Sequence, residues 1–269
     1  MPDFLFDHIY RIYKKFQKSE HIFLFLDYDG TLVPFKDTPT QVTTPKQIKK
    51  VIRQLIKNPK VKVIIATGRQ LQDIKELMNV KGVSFIALHG LEIETADGMK
   101  FCWKQATQAR LLIKTIKKDM QKKLTDEKGA FLEDKELTIV FHYRLLAKNK
   151  IHPLRETFKK IVRNHDTQKI LEIINGAKII EARPKGWNKG KGIEIFLAQY
   201  TPVKNILPIY IGDDITDEDA FRFLGKRGIT IHVTNRSKRK TSARYQVKNP
   251  DEVYSFLQSL SQIQLLNKN

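Results

Sequence analysis

The stretch Ile22-Phe23-Leu24-Phe25-Leu26-Asp27-Tyr28-Asp29-Gly30-Thr31-Leu32-Val33 decides how the rest of the chain is read. An unbroken apolar run ending in charged and turn-forming residues predicts a buried parallel strand that delivers Asp27 and Asp29 at its carboxyl end. Two carboxylates so close at a sheet edge repel each other and are costly to desolvate together. A cation or a shared proton must therefore compensate them. Gly30 lets the chain turn tightly, and Thr31 adds a hydroxyl beside the pair.

Composition sets the outer limits. The chain has 269 residues, enough for one large domain or two modest ones, with an ordinary apolar fraction of 41% and aromatic fraction of 9%. No apolar stretch approaches the length of a membrane span. The N-terminus carries early acids and neither a basic region nor a small-residue cleavage site, so no secretory signal is expected. Cys102 is the one cysteine, which excludes an intramolecular disulfide and a cysteine metal cage, and a cytoplasmic setting is the expectation. Lys and Arg number 49 against 29 Asp and Glu, a net charge of +20. The basic residues are spread along amphipathic segments such as Lys46 to Lys57 and Lys114 to Lys123, with one dense loop at Arg236-Ser237-Lys238-Arg239-Lys240. Nucleic-acid binding is therefore not the expected main function, while an anionic substrate would be drawn by the same field.

Strand and helix signals alternate along the first hundred residues. An amphipathic helix is predicted over Phe4 to Lys18, and another over Pro45 to Asn58 with Thr44 as its N-cap. Strands are predicted at Val61 to Ala66 and Val83 to Leu88, with a helix from Leu71 to Met78 between them. From Trp103 the rhythm becomes a long basic helix, a partly alternating strand at Leu137 to Arg144, a further helix and hairpin-like strands around Asn175-Gly176. The alternation resumes with a helix at Lys191 to Tyr200, a strand at Leu207 to Ile211 and a helix at Asp217 to Leu224. The pattern predicts an α/β protein with a Rossmann-like parallel-sheet core, residues 1–103 and 186–269, interrupted by an inserted α+β module at 104–185.

Polar residues suited to phosphate chemistry gather at the predicted strand ends. They are Asp27 and Asp29; Thr67-Gly68-Arg69; Lys189 within Trp187-Asn188-Lys189-Gly190; and Gly212-Asp213-Asp214 followed by Asp217. Ligands of open α/β sheets bind outside the carboxyl ends of the strands, where these groups should converge. Clustered hard carboxylates imply Mg²⁺.

Taken in order, these four segments resemble the motifs of the haloacid dehalogenase superfamily of phosphatases, and they span nearly the whole chain. The run Arg183-Pro184-Lys185-Gly186-Trp187-Asn188-Lys189-Gly190, with Glu133-Asp134-Lys135 and His142-Tyr143-Arg144, is similar to the trehalose-6-phosphate phosphatase branch. The family pattern has Gly-Lys shortly before a glutamate; here Gly176-Ala177 precede Glu181, and Lys178 follows them.

The resemblance implies a core of the haloacid dehalogenase type with the inserted module as its cap. It implies an Mg²⁺-dependent hydrolysis of trehalose 6-phosphate, with Asp27 as nucleophile, Asp29 as general acid and base, and Thr67 and Lys189 contacting the transferring group. Asp27, Asp213 and the backbone carbonyl of Asp29 would hold the metal, with Asp214 and Asp217 around them. Arg69, His89, Asn188, Glu133, Lys135, Arg144 and Glu181 would contact substrate, the last four reading sugar hydroxyls. A functional link to a trehalose-phosphate synthase is implied as well. Another sugar phosphate, such as sucrose phosphate or a glycosyl-phosphoglycerate, is the alternative substrate, and a non-catalytic sugar-phosphate sensor the alternative class.

Overall fold

A computed structural model of the chain describes residues 2–35, 42–176, 178–200, 202–235 and 239–266. Ala177 and Arg236, Ser237 and Lys238 of the basic loop lie outside them. The chain divides into two compact units, Met1–Phe101 with Asn188–Asn269, and Cys102–Trp187.

The larger unit begins with β1 (Asp3–Phe4), α1 (Ile9–Lys18), β2 (His21–Leu26), α2 (Lys46–Ile56) and β3 (Val61–Ala66). It continues through α3 (Leu71–Met78), β4 (Ser84–Ala87), β5 (Glu92–Glu94) and β6 (Lys100–Cys102). The smaller unit holds α4 (Ala106–Leu124), β7 (Phe131–Asp134), β8 (Ile139–His142), α5 (Lys148–His165), β9 (Leu171–Gly176) and β10 (Ile179–Pro184). The chain then returns with α6 (Lys189–Ala198), β11 (Ile206–Gly212), α7 (Glu218–Leu224), β12 (Ile229–Val233), β13 (Tyr245–Val247) and α8 (Pro250–Leu266).

The large sheet has the order β1-β13-β12-β11-β2-β3-β4-β5-β6. All pairs from β1 to β4 are parallel, and β5 adds antiparallel to β4. Sequence proceeds outward from β2 to β3 and β4 on one side, then restarts at β11 on the other. That reversal makes a topological switch point beside β2, where the ends of neighbouring strands splay and leave a crevice.

β2 shows why the sheet centre is stable. Ile22, Leu24 and Leu26 point to one face and join a core with Ile12 and Phe16 of α1, Ile48 and Ile52 of α2, and Phe256 of α8. Phe23 and Phe25 point to the other, packed with Ile193 and Phe196 of α6 and Phe221 of α7. The Phe25 and Phe196 rings meet edge-on at 5.8 Å. Both faces are dry, which is why the strand reads as a continuous apolar run, and Phe25→Ala would cost about 3–5 kcal/mol.

The helices bury the faces their spacing predicts. On α2, Ile48, Val51, Ile52 and Leu55 are buried while Lys50 and Arg53 are exposed; on α4, Ala109, Ile113, Ile116 and Met120 are buried while Lys114 and Lys118 are exposed. The lysines of these helices lie on outer faces.

Two local expectations are corrected. The helix predicted from Phe4 starts at Ile9, because Asp3 and Phe4 pair with Tyr245 and Gln246 at the sheet edge and Leu5–His8 form a 3₁₀ turn. Thr44 does not cap α2: its hydroxyl donates to the Leu77 carbonyl at 2.7 Å and meets the Tyr28 hydroxyl at 2.6 Å. Lys178 sits in the β9–β10 turn with φ of 66°, outside the strand.

In the smaller unit the sheet order is β7-β8-β10-β9, antiparallel throughout. Ile139, Phe141, Ile180 and Ala182 are buried, and the alternate positions of the same strands, including Glu133, His142 and Glu181, share the other face.

Candidate active site

Three strand ends converge at the switch point. Asp27 follows β2 and donates its backbone N–H to the Ile211 carbonyl at 2.9 Å; Thr67 follows β3 and donates to the Ile86 carbonyl at 2.9 Å. Asp213 follows β11, next to β2 in the sheet. Lys189 opens α6, whose N-cap is Asn188: the Asn188 side-chain oxygen accepts the Lys191 N–H at 2.9 Å. The cap places the lysine at the first helical position, aimed at the carboxylates.

Lys189 Nζ lies 2.6 Å from Asp27 Oδ1 and 2.6 Å from Asp217 Oδ1, and all three residues are buried. Asp217 Oδ1 also accepts the Tyr210 hydroxyl at 2.6 Å, and Asp217 Oδ2 accepts the Asp214 N–H at 2.8 Å. Burial alone would strip the proton from Lys189, but the Asp217 and Asp27 charges outweigh it and hold the ammonium well above its ordinary range. Burial, aided by Asp217 and Asp213 and opposed by Lys189, pushes the Asp27 carboxyl well up. Burial and then Asp217 also raise the Tyr210 hydroxyl.

Asp27, Asp213 and Asp217 each offer a carboxylate oxygen within 4.8 Å of the others. When all three are ionised, the carboxylates outnumber the one ammonium by two charges, which a divalent cation would neutralise. Both Asp217 oxygens are already engaged, so its geometry is that of a brace for Lys189. Asp27 and Asp213 are the side chains suited to a hard oxygen-seeking cation such as Mg²⁺. Asp213 is pushed up to about 6 by burial and the neighbouring Asp217 charge, as befits a carboxylate lacking a full counter-charge. Its Oδ1 lies 3.4 Å from the Thr31 hydroxyl, and its Oδ2 accepts the Asn235 amide at 3.0 Å. Gly30, at φ of 81°, packs against the same carboxylate with no room for a side chain.

Asp29 is held differently. Arg69 donates through Nε to Oδ2 at 2.7 Å and through Nη2 to Oδ1 at 2.8 Å, a two-armed clamp, while Nη1 reaches Asp73 at 2.9 Å. Burial works against the Arg69 charge, but the Asp29 and Asp73 bonds more than restore it. The guanidinium also lies 5.5 Å from the Tyr28 ring centre. The Thr67 hydroxyl accepts the Arg69 N–H at 3.2 Å. His89 follows β4 with φ of 56°, and its imidazole lies so close to Gly68 that a Cβ there would stand 2.5 Å from Nε2.

The larger unit thus brings together Asp27, Asp29, Thr67, Arg69, His89, Asn188, Lys189, Asp213, Asp214 and Asp217 around its switch point. In the smaller unit, Glu133 Oε2 meets His142 Nε2 at 2.9 Å and its Oε1 lies 3.7 Å from Lys135 Nζ. Burial opposes the Glu133 charge, yet the His142 bond and Lys135 win and hold its carboxyl below the usual range. Glu181 Oε1 is buried with no hydrogen-bond partner among the described residues. Arg144 is exposed at the end of β8. Tyr210 and Asn235 belong to these clusters too, and the sequence reading did not single them out; His142 and Arg239 entered it only within the His142-Tyr143-Arg144 stretch and the basic loop. For Tyr210 a signal existed, since a hydroxyl in an otherwise apolar buried run needs a polar partner.

The parallel sheet with its acidic switch point is the fold of the haloacid dehalogenase-like hydrolases. A solved structure of that description from Bacteroides thetaiotaomicron superposes with a TM-score of 0.63 at 13% identity, over 90% of this chain and 99% of that one. Closer matches narrow the group. The trehalose-phosphatase family profile matches residues 25–251. Probable trehalose-phosphate phosphatase E of Arabidopsis thaliana is 31% identical over 256 residues, covering 90% of this chain and 71% of that protein. A crystal structure of a trehalose-6-phosphate phosphatase related protein superposes with a TM-score of 0.78 at 25% identity, over 91% of this chain and 99% of that one. The chain belongs to the trehalose-phosphatase family, whose members are phosphoric monoester hydrolases. No helix among the described residues is long and apolar enough to cross a membrane.

Proposed function

We propose that the protein hydrolyses trehalose 6-phosphate to trehalose and phosphate through a phosphoryl-enzyme intermediate on Asp27. The observation that carries this reading is the buried Lys189–Asp27 contact beside Asp213, within a family whose named relatives act on trehalose phosphate. Lys189 and Asp217 fix the orientation of the Asp27 carboxylate. Its oxygen attacks phosphorus, the P–O bond to the sugar breaks, and the sugar oxygen takes a proton from Asp29. In the second half, Asp29 accepts a proton from water, which attacks the phosphoryl group and returns the free Asp27 carboxylate. Lys189 and the Thr67 hydroxyl stabilise charge on the transferring group.

Mg²⁺ held by Asp27, Asp213 and the Asp29 carbonyl would supply charge neutralisation at the phosphoryl oxygens. Glu133, Lys135, Arg144 and Glu181 would select the sugar, because hydroxyls matched to charged groups discriminate strongly against a sugar that leaves those groups unpaired. His89, Arg69 and Asn188 act around the phosphate end, Arg69 through Asp29 and Asn188 through the placement of Lys189. A trehalose-phosphate synthase is the activity that would supply this substrate.

The test is phosphate release with Mg²⁺ across a panel of sugar phosphates, with Asp27→Asn as control. Strong preference for trehalose 6-phosphate, lost in the variant, is the expected result. Equal turnover of sucrose phosphate or a glycosyl-phosphoglycerate would overturn the substrate assignment, and turnover by Asp27→Asn would overturn the nucleophile.

A further inference from the structure

The segment after β12 reaches back across the switch point. Asn235 stands in it with φ of 42°, a left-handed conformation that asparagine tolerates better than most residues. Its Nδ2 donates to the Gly30 carbonyl at 2.7 Å and to Asp213 Oδ2 at 3.0 Å. Both partners are acceptors, so the amide orientation is unambiguous, and the two N–H bonds of one nitrogen are both used. Gly30 belongs to the turn that carries Asp27 and Asp29, whereas Asp213 ends β11. One amide therefore ties the nucleophile turn to the carboxylate on the adjoining strand. Arg239 grips the same place through the backbone: its Nη2 donates to the Asp213 carbonyl at 2.8 Å, and its Nε donates to His232 Nε2 at 3.2 Å.

A carboxylate with no fixed donor turns broadly about its last torsion. The Asn235 bond removes that freedom for Asp213 and directs Oδ1 towards Thr31. We infer that Asn235 is a positioning residue that preorganises Asp213 as a ligand for a divalent cation, and so sets the affinity of the site for the metal. The inference rests on the proposed Mg²⁺ role of Asp213 and adds a determinant of affinity to it. Groups that orient a metal ligand from behind are typically worth 10- to 100-fold in metal affinity.

Asn235→Gly removes the amide while retaining a residue that adopts positive φ without strain, and Asn235→Ala removes the same amide with added backbone strain. Calorimetric titration of the full chain with MgCl₂ and no substrate reads the metal directly. Both variants should bind Mg²⁺ about 10- to 100-fold more weakly. The thermal midpoint without metal should stay near wild type for Asn235→Gly, which separates ligand positioning from general support of the loop. Unchanged Mg²⁺ affinity in Asn235→Gly would overturn the inference and leave the metal reading intact. Absence of Mg²⁺ binding by the wild-type chain would overturn both.

Discussion

Arg69 grips both carboxylate oxygens of Asp29, at 2.7 and 2.8 Å, while Asp27, two residues earlier, faces Lys189 at 2.6 Å. The two acids of the Asp-x-Asp segment therefore have separate counter-ions. Lys189 comes from the start of α6 and Arg69 from the connection between β3 and α3. This division lets neighbouring carboxylates in the same turn take different chemical parts. Asp27 is buried against a single point charge, and Asp29 sits half-exposed in a planar fork that it must leave, or share, to move a proton in the proposed reaction.

Asp29→Asn should cut steady-state turnover of trehalose 6-phosphate by about 10²- to 10⁴-fold, the usual worth of a positioned acid–base group. With 4-nitrophenyl phosphate, whose leaving group needs no proton, the variant should release one burst equivalent of nitrophenolate and then stall. Loss of the burst itself would mean that Asp29 is needed for phosphoryl transfer to Asp27.

Lys189→Met leaves Asp27 and Asp217 buried without their shared cation. Breaking such a pair should cost about 3–5 kcal/mol in urea unfolding at pH 7. The loss should shrink near pH 4, where protons replace the missing ammonium charge. A loss that does not change with pH would show that packing, not charge, accounts for it.

Without divalent ions, the contribution of Asp213 to stability should fall as pH rises from about 4 to about 6. Asp213 keeps its proton in the folded state up to about 6, against an ordinary value of 3.8. The folded chain therefore holds a proton that the unfolded chain has released, and the contribution present below pH 4 is lost as pH passes 6. The slope from one such group is at most about 1.4 kcal/mol per pH unit, and Asp27 acts in the same direction. Urea unfolding in EDTA at several pH values measures it, and Asp213→Asn should flatten the curve.

Glu133→Gln and Glu181→Gln should each lower kcat/KM for trehalose 6-phosphate by about 10- to 100-fold, the worth of a charged hydrogen bond. Turnover of a small aryl phosphate should stay within a few-fold of wild type. Equal losses on both substrates would show that the smaller unit does not read the sugar.

The amino-acid sequence by itself determined β2, the acids at its end, Thr67-Gly68-Arg69, the Lys189 segment and the Gly212-Asp213-Asp214 turn. Those features are written in local periodicity: apolar runs for strands buried on both faces, and glycine, threonine and aspartate where the chain must turn. The edge pairing of Asp3 and Phe4 was not legible, because such a short strand carries no period of its own and forms only where Tyr245 and Gln246 meet it. The pairing of charges was decided by tertiary structure alone. Lys189 finds Asp27 across 162 residues of sequence, Arg69 finds Asp29 across 40, and Asn235 finds the Gly30 carbonyl across 205. Composition could say that two close carboxylates need compensation. Only the parallel register of β11, β2 and β3, which brings distant strand ends within a few ångströms, could say which cation serves which acid, since charge complementarity carries no information about sequence distance.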